Sequence, residues 1–249
     1  MGMHAANSIR VICCIVSKMK PLIFLGSNYN LHWFIEIAES AGFVVAGMID
    51  DDYHGQGHFQ NIPIVAREQE LADNPEQWNQ YQFFCATNWQ PAEVLDQYQE
   101  RNQNKRARLI DLMETHSYDV ATIVSPRAEV CKYNVTLGRG VFIDSFCYVA
   151  SNVEIGDYTM VYGFSVVADL CTIGRDCVLQ RRTLITGDVC LGDRVYMAVG
   201  SMINKNHVTI ASGTFIQQGI MILRNTEPNE TVGLAGRDLR RVYNNVIEQ

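Results

Sequence analysis

Residues 137–203 read LGRGVFIDSFCYVASNVEIGDYTMVYGFSVVADLCTIGRDCVLQRRTLITGDVCLGDRVYMAVGSMI, and two nested periods run through them. The dipeptides Leu137-Gly138, Ile155-Gly156, Ile173-Gly174 and Leu191-Gly192 recur every eighteen residues, and an aliphatic residue falls at every sixth place between them. The ladder is Leu137, Ile143, Val149, Ile155, Val161, Val167, Ile173, Leu179, Ile185, Leu191, Met197 and Ile203. With 47% of the chain hydrophobic, twelve such residues in one frame would arise by chance about once in ten thousand trials, so the pattern specifies structure.

A period of six inside one of eighteen describes three short strands per coil, one on each face of a triangular prism. This is a parallel β-helix, with the ladder filling the interior and coils stacked at roughly 4.8 Å. The residue four places after each rung also points inward, near a corner where space is short. Those places hold Cys147, Val153, Thr159, Ser165, Cys171, Cys177, Thr183, Val189, Val195 and Ser201, all small or β-branched. The phase slips by one after Ile203, because Ile210, Ile216 and Ile222 carry the ladder on. The extra residue is expected to bulge outward within 204–209. Entry near Ser125-Pro126 leaves room for five to six coils.

Composition narrows the partners. A net charge of −7 argues against nucleic acid, whose phosphate backbone calls for a basic face. Of the eight cysteines, Cys147, Cys171 and Cys177 take inward places, and backward extrapolation puts Cys131 on the ladder. No CxxC pair or zinc spacing appears, so no metal is expected, and the thiols read as buried groups in a reducing cytoplasm. Residues 11–17 are apolar but too short to span a bilayer, and no cleavage pattern follows them. Met19 opens what reads as an ordinary cytosolic amino terminus, leaving residues 1–18 as an extension or an upstream start.

Before the prism the period changes. Leu22–Leu25 is an apolar run ending at Gly26, and a helical stretch covers 31–41. A second strand over 43–49 ends in Asp50-Asp51-Asp52. A polar helix over 68–80 leads to a strand at 83–86 and then Thr87-Asn88. Helices over 91–104 and 107–114 follow, and 119–124 leads into the coils. Strands alternating with helices imply a small parallel sheet with right-handed crossovers, and ligands bind such sheets beyond the carboxyl ends of the strands. The residues there are 26–30, Asp50, Asp51, Asp52, Thr87 and Asn88. A dinucleotide loop needs Gly-x-Gly-x-x-Gly, and only Gly26 of that pattern is present. The acidic triplet is placed to accept hydrogen bonds from a ribose or base, or to serve as a solvated turn.

The order of these parts resembles the bacterial sialic-acid O-acetyltransferase and nucleotide-amino-sugar N-acetyltransferase family. Its members join a Rossmann-like domain to a left-handed β-helix of hexapeptide repeats. The resemblance covers about residues 20–240. It rests on the second-strand ending Gly47-Met48-Ile49-Asp50-Asp51-Asp52, the entry Ser125-Pro126, residues 166–174 (VVADLCTIG) and the closing segment 229–237. It implies a nucleotide-sugar-binding domain over 19–124 and an acyltransferase domain over 125–249. It further implies a homotrimer with acetyl-CoA in the cleft between prisms and a nucleotide-linked sugar as acceptor. Asp169 stands where the family carries its general-base histidine, and Val178 where it carries a second. Gly187 matches the glycine whose N–H meets the thioester carbonyl.

Coil arithmetic sets Lys205 a further eighteen residues beyond Gly187 on the same corner. Arg237, with Arg181, Arg182, Arg240 and Arg241, is a candidate for the CoA phosphates. His207, in the slipped stretch, is an imidazole near the same corner. The expectation is a cytoplasmic acetyl-CoA-dependent acetyltransferase with Asp169 as altered base, acting on the amino group, or a hydroxyl, of a nucleotide-linked sugar. Gly187, Lys205 and Arg237 are expected to hold the donor, and Gly26, Asp51, Asp52 and Asn88 the acceptor. The alternative is an inactive relative that serves as a trimeric binding or assembly module.

Overall fold

The structure, a computed structural model, describes residues 20–27, 31–89 and 97–233. Its first part holds β1 (Leu22–Leu25), α1 (Leu31–Ser40), β2 (Val45–Ile49), β3 (His58–Phe59), β4 (Ile62–Ala66), α2 (Glu68–Asp73), β5 (Gln82–Cys85) and α3 (Gln97–Thr115). The sheet order is β3-β4-β2-β1-β5, parallel except for the β3–β4 hairpin. β1 is wholly buried because both of its faces are covered, as an apolar run in a parallel sheet requires. Leu22 and Phe24 pack towards α1, while Ile23 and Leu25 pack towards Leu109 and Met113 of α3.

Three local expectations change. The β3–β4 hairpin was not predicted; it turns on Gln60 and Asn61, both at positive φ (49° and 69°), without the glycine that usually signals such a turn. The helix expected over 68–80 stops at Asp73, and Pro75 starts a separate 3₁₀ turn to Trp78. The two helices expected over 91–104 and 107–114 are one helix, α3, from Gln97; residues 91–96 lie outside the described residues.

From Ile123 onward the chain winds as a parallel β-helix, whose three faces are sheets of six, five and seven strands. The eighteen-residue period is the strand register itself. Tyr148 pairs with Val166, Val166 with Leu184 and Leu184 with Met202. The slip after Ile203 is present, since Val189 pairs with Val208 and Met202 with Met221. A second slip lies upstream, where Val130 pairs with Val149 but Val135 with Val153. Cys131, extrapolated onto the ladder, is therefore displaced by Val130 and sits half-buried outside the core.

Two features explain the repeat chemically. In the Leu/Ile-Gly dipeptides the glycine lies under the next coil. A Cβ on Gly174 would stand 2.5 Å from the carbonyl carbon of Gly192, and one on Gly156 would stand 2.7 Å from that of Gly174. Three residues after each rung from Ile143 to Leu191, moreover, the backbone takes a left-handed conformation, at Phe146, Asn152, Tyr158, Phe164, Leu170, Asp176, Arg182, Asp188 and Arg194. Such residues cost of order 1 kcal/mol each. The corner amides offset that cost by bonding to the coil before, as Leu170 N–H does to Ser151 O at 3.2 Å.

The α/β part lies on the seven-stranded face. The outward side chains of that face, Phe142, Met160, Val178, Tyr196 and Phe215, belong to one buried cluster with Phe24, Phe34 and Phe84. Phe34 and Phe142 meet with ring centroids 4.5 Å apart. The α/β part leaves the six- and five-stranded faces open, and the corner between them carries Asp169.

Candidate functional site

That corner is built from three successive coils. Asp169 follows the strand Val166–Val167 and is exposed. Its Oδ1 accepts the Ser151 hydroxyl at 2.7 Å and the Ser151 N–H at 3.1 Å. One coil on, a Cβ at Gly187 would approach Asp169 O to 3.1 Å, so glycine keeps the corner open. Among the described residues the Gly187 N–H meets no acceptor. Beside it Asp188 donates its own N–H to Asp169 O at 2.9 Å.

The slip decides what comes above. Counting from the Ile185–Ile203 pair puts Lys205 over Gly187; counting back from Val189–Val208 puts Asn206 there. Lys205 is thus beside the bulge and exposed, within the same corner. His207 stacks on Asp188, donating its N–H to Asp188 O at 2.7 Å, and its Nδ1 pairs with Asp188 Oδ2.

The second group of candidate residues lies at the carboxyl edge of the small sheet. Gly26 (φ 71°) donates to Ile49 O at 2.8 Å, and a Cβ there would fall 2.4 Å from Thr87 Cγ2 and 2.9 Å from Leu109 Cδ1. Asp50 is fully buried, and Lys105 of α3 reaches across to bond Asp50 Oδ1 and, at 2.9 Å, Asp52 Oδ2. Burial works to lower the pKa of Lys105, but the hydrogen bond and charge of Asp50, joined by Asp52, outweigh it and the net direction is up. Asp51 accepts the Glu68 N–H at 2.9 Å, which fixes the start of α2. Asn88 Oδ1 accepts the Tyr162 hydroxyl at 2.7 Å, joining this edge to the prism.

Gly26 and Asp52 lie at the carboxyl edge of the small sheet, and all four candidates there hold protein partners: Gly26 bonds Ile49, Asp52 pairs with Lys105, Asp51 accepts from Glu68 and Asn88 from Tyr162. Arg181 lies over the Tyr162 ring, 5.7 Å from its centroid, and Arg182 is an exposed corner residue. Arg237, Arg240 and Arg241 lie outside the described residues. Lys105 and Arg106 were missed. In sequence they are two basic residues in a polar helix, with no signal to separate them from a solvated face. Also unforeseen is a cleft of about 220 Å³ where α1 meets the prism, lined by Trp33, Asp144, Phe146, Phe164 and Arg181. Among the described residues no group of His, Cys, Asp and Glu is arranged to hold a metal ion, and no helix is long and apolar enough to cross a membrane.

Residues 134–169 match the family described as bacterial transferase hexapeptide (six repeats). The whole architecture has relatives among solved structures. PerB from Caulobacter crescentus, in complex with CoA and GDP-perosamine, is 23% identical with a TM-score of 0.70, over 85% of this chain and 92% of that one. The acetyltransferase domain of PglB from Neisseria gonorrhoeae, in complex with acetyl coenzyme A, is 16% identical with a TM-score of 0.70, over 85% and 94%. WeeI from Acinetobacter baumannii is 17% identical with a TM-score of 0.69, over 87% and 98%. These likenesses establish a shared fold. Chemically, the corner offers a backbone donor with no partner among the described residues, flanked by carboxylates and one imidazole, which suits polarising a carbonyl and removing a proton.

Proposed function

We propose that the chain is an acetyl-CoA-dependent acetyltransferase that acetylates the amino group of a nucleotide-linked sugar in the cytoplasm. The observation that carries this reading is the Gly187 N–H, without an acceptor among the described residues, on an open corner between Asp169 and Asp188, in a fold shared with a protein crystallised with CoA and a GDP-sugar. In this reading the prism is a left-handed β-helix, and residues 125–249 form the transferase domain. Residues 19–124 form a Rossmann-like domain that takes the nucleotide at the Gly26 and Asp52 edge. Three chains pack by their apolar prism faces, and acetyl-CoA lies in the cleft between two of them, along Gly187 and Lys205, with Arg237 on its phosphates. An amine that arrives neutral needs less help from a base than a hydroxyl does, which favours N- over O-transfer at a corner where the carboxylate Asp169 occupies the place of the family's imidazole.

Calorimetric titration of the purified protein with acetyl-CoA, against free CoA, tests the reading without a guess about the acceptor. Micromolar binding is expected. Absence of heat at several temperatures overturns it, and a trimeric binding module then becomes the better account, favoured by the tie between Asp169 and Ser151.

A further inference from the structure

We propose that His207, oriented by Asp188, is the general base of this corner. The inference rests on the acetyltransferase reading and assigns the proton to a residue two coils from the Asp169 position. Its basis is geometric. The one-residue slip after Ile203 changes the stacking from eighteen to nineteen residues and sets His207 directly over Asp188. Both take the left-handed corner conformation, with φ of 59° and 57°. His207 Nδ1 then faces Asp188 Oδ2. A carboxylate on Nδ1 fixes the proton there and leaves Nε2 as the acceptor, the division of labour by which a carboxylate orients a catalytic imidazole.

The neighbouring position is the one the reaction needs. Gly187, adjacent in sequence to Asp188, presents the unpartnered N–H, so a thioester carbonyl bonded there lies within one coil, roughly 4.8 Å, of the His207 level. Asp169, by contrast, is held by two hydrogen bonds from Ser151. The acceptor nitrogen attacks the thioester carbonyl carbon, and a C–N bond forms. His207 Nε2 takes the proton that nitrogen sheds. The C–S bond breaks as the tetrahedral centre collapses, and the same proton passes to the departing CoA sulfur, so no other reactant is required. The charged groups around the imidazole are Asp188 beneath it, Lys205 on its own loop and Asp169 two coils below.

Histidine ring signals of the full chain, assigned with His207→Gln, are followed by NMR through a pH titration with and without CoA, beside calorimetry of the same samples. CoA binding that shifts the His207 ring signals and their titration is expected. CoA binding that leaves them unmoved overturns the proposal while sparing the acetyltransferase reading. No CoA binding by the parent overturns both. On whichever nucleotide-linked amino sugar the parent acetylates, His207→Gln is expected to keep donor affinity and lose about 10²–10⁴-fold in turnover. Asp188→Asn is expected to move the basic limb of the pH–rate profile, with Asp188→Glu restoring part of it. Full turnover in His207→Gln, with loss in Asp169→Asn instead, would return the base to Asp169.

Discussion

Arg106 of α3 donates its Nε–H to Asp176 Oδ1 of the prism at 2.7 Å, with its own side chain 1% exposed. The rest of the guanidinium is bonded to main-chain oxygens, Nη2 to Tyr158 O at 2.7 Å and Nη1 to Thr87 O. One side chain thus ties the end of β5, the helix α3 and a prism corner together. Burial opposes its charge, and Asp176 more than compensates, so its pKa is raised. Removing one partner of a buried pair leaves the other charge uncompensated, at a cost of roughly 3–5 kcal/mol. Arg106→Met is expected to lose that much in urea unfolding. R106M/D176N is expected to lose less than the two single variants together, the signature of direct coupling.

The ladder predicts a different pattern of costs. Ile185 is completely buried within the prism, whereas Thr172 points outward and is exposed. Ile185→Ala is expected to destabilise by about 2–5 kcal/mol through lost burial and a cavity. Thr172→Ala is expected to stay within about 0.5 kcal/mol of the parent. Gly174→Ala, although it adds only a methyl group, is expected to behave like the core variant, since its Cβ would stand 2.5 Å from Gly192. Thermal unfolding of the three variants side by side checks the order.

Glu68 gives a pH test. Desolvation pushes its carboxyl above the usual range, against the charge of Arg108. One of its oxygens, Oε1, is buried with no partner among the described residues. A carboxyl whose pKa is higher folded than unfolded binds more protons in the folded state, so its contribution to stability is best below the unfolded value, near 4.5, and falls as pH rises through the folded value. Glu68→Gln removes that loss. The stability difference between variant and parent is expected to move in favour of the variant from pH 4 to pH 8, as read by chemical denaturation at each pH. A difference that is flat with pH would contradict the assigned direction.

The thiols separate by burial. Cys147 and Cys177 fill inward corner places, and burial pushes each up to about 12; Cys171 is also raised, for the same reason. Cys190 points outward on the five-stranded face and is exposed. Because the thiolate is the reacting species, brief alkylation of native protein at pH 8 is expected to label Cys190 and leave Cys147, Cys171 and Cys177 unmodified until urea is added. Peptide mapping by mass spectrometry reads the result.

The prism was legible in the sequence because its packing constraint is periodic: one interior rung per strand and no room for a Cβ between glycines of stacked coils. A single inserted residue at 204–209 stayed visible, since Ile210, Ile216 and Ile222 resume the frame on its far side. The slip between Val130 and Val135 did not, because only Val124 and Val130 precede it, too short a run to define a frame. The left-handed corners at Phe146, Phe164 and Leu170 carry none of the Gly or Asn usually demanded there, as stacked amides over-determine the backbone. At the sheet edge the Asp triplet was visible but its cation was not. Lys105 lies 53 residues from Asp52, and only tertiary packing joins them.

The six-stranded face of the prism is open along its length. Its outward column is Glu129, Tyr148, Val166, Leu184, Met202 and Met221, apolar from Tyr148 onward, with Tyr148 43% and Met221 47% exposed. The five-stranded face shows Thr136, Glu154, Thr172, Cys190 and Thr209 at the equivalent places, and the seven-stranded face is already covered by the α/β part. One face is thus apolar and open, which is unusual for a chain that stays single. Closed packing of three prisms through this face would bury it and create three equal clefts. Light scattering at micromolar concentration is expected to give the mass of three chains for the parent. Leu184→Glu, which sets a charge in the middle of the column without touching the interior rung at Ile185, is expected to give the mass of one, with the far-UV spectrum of the parent. Loss of CoA binding in the same variant would place the donor site between subunits, whereas binding by the single chain would place it within one.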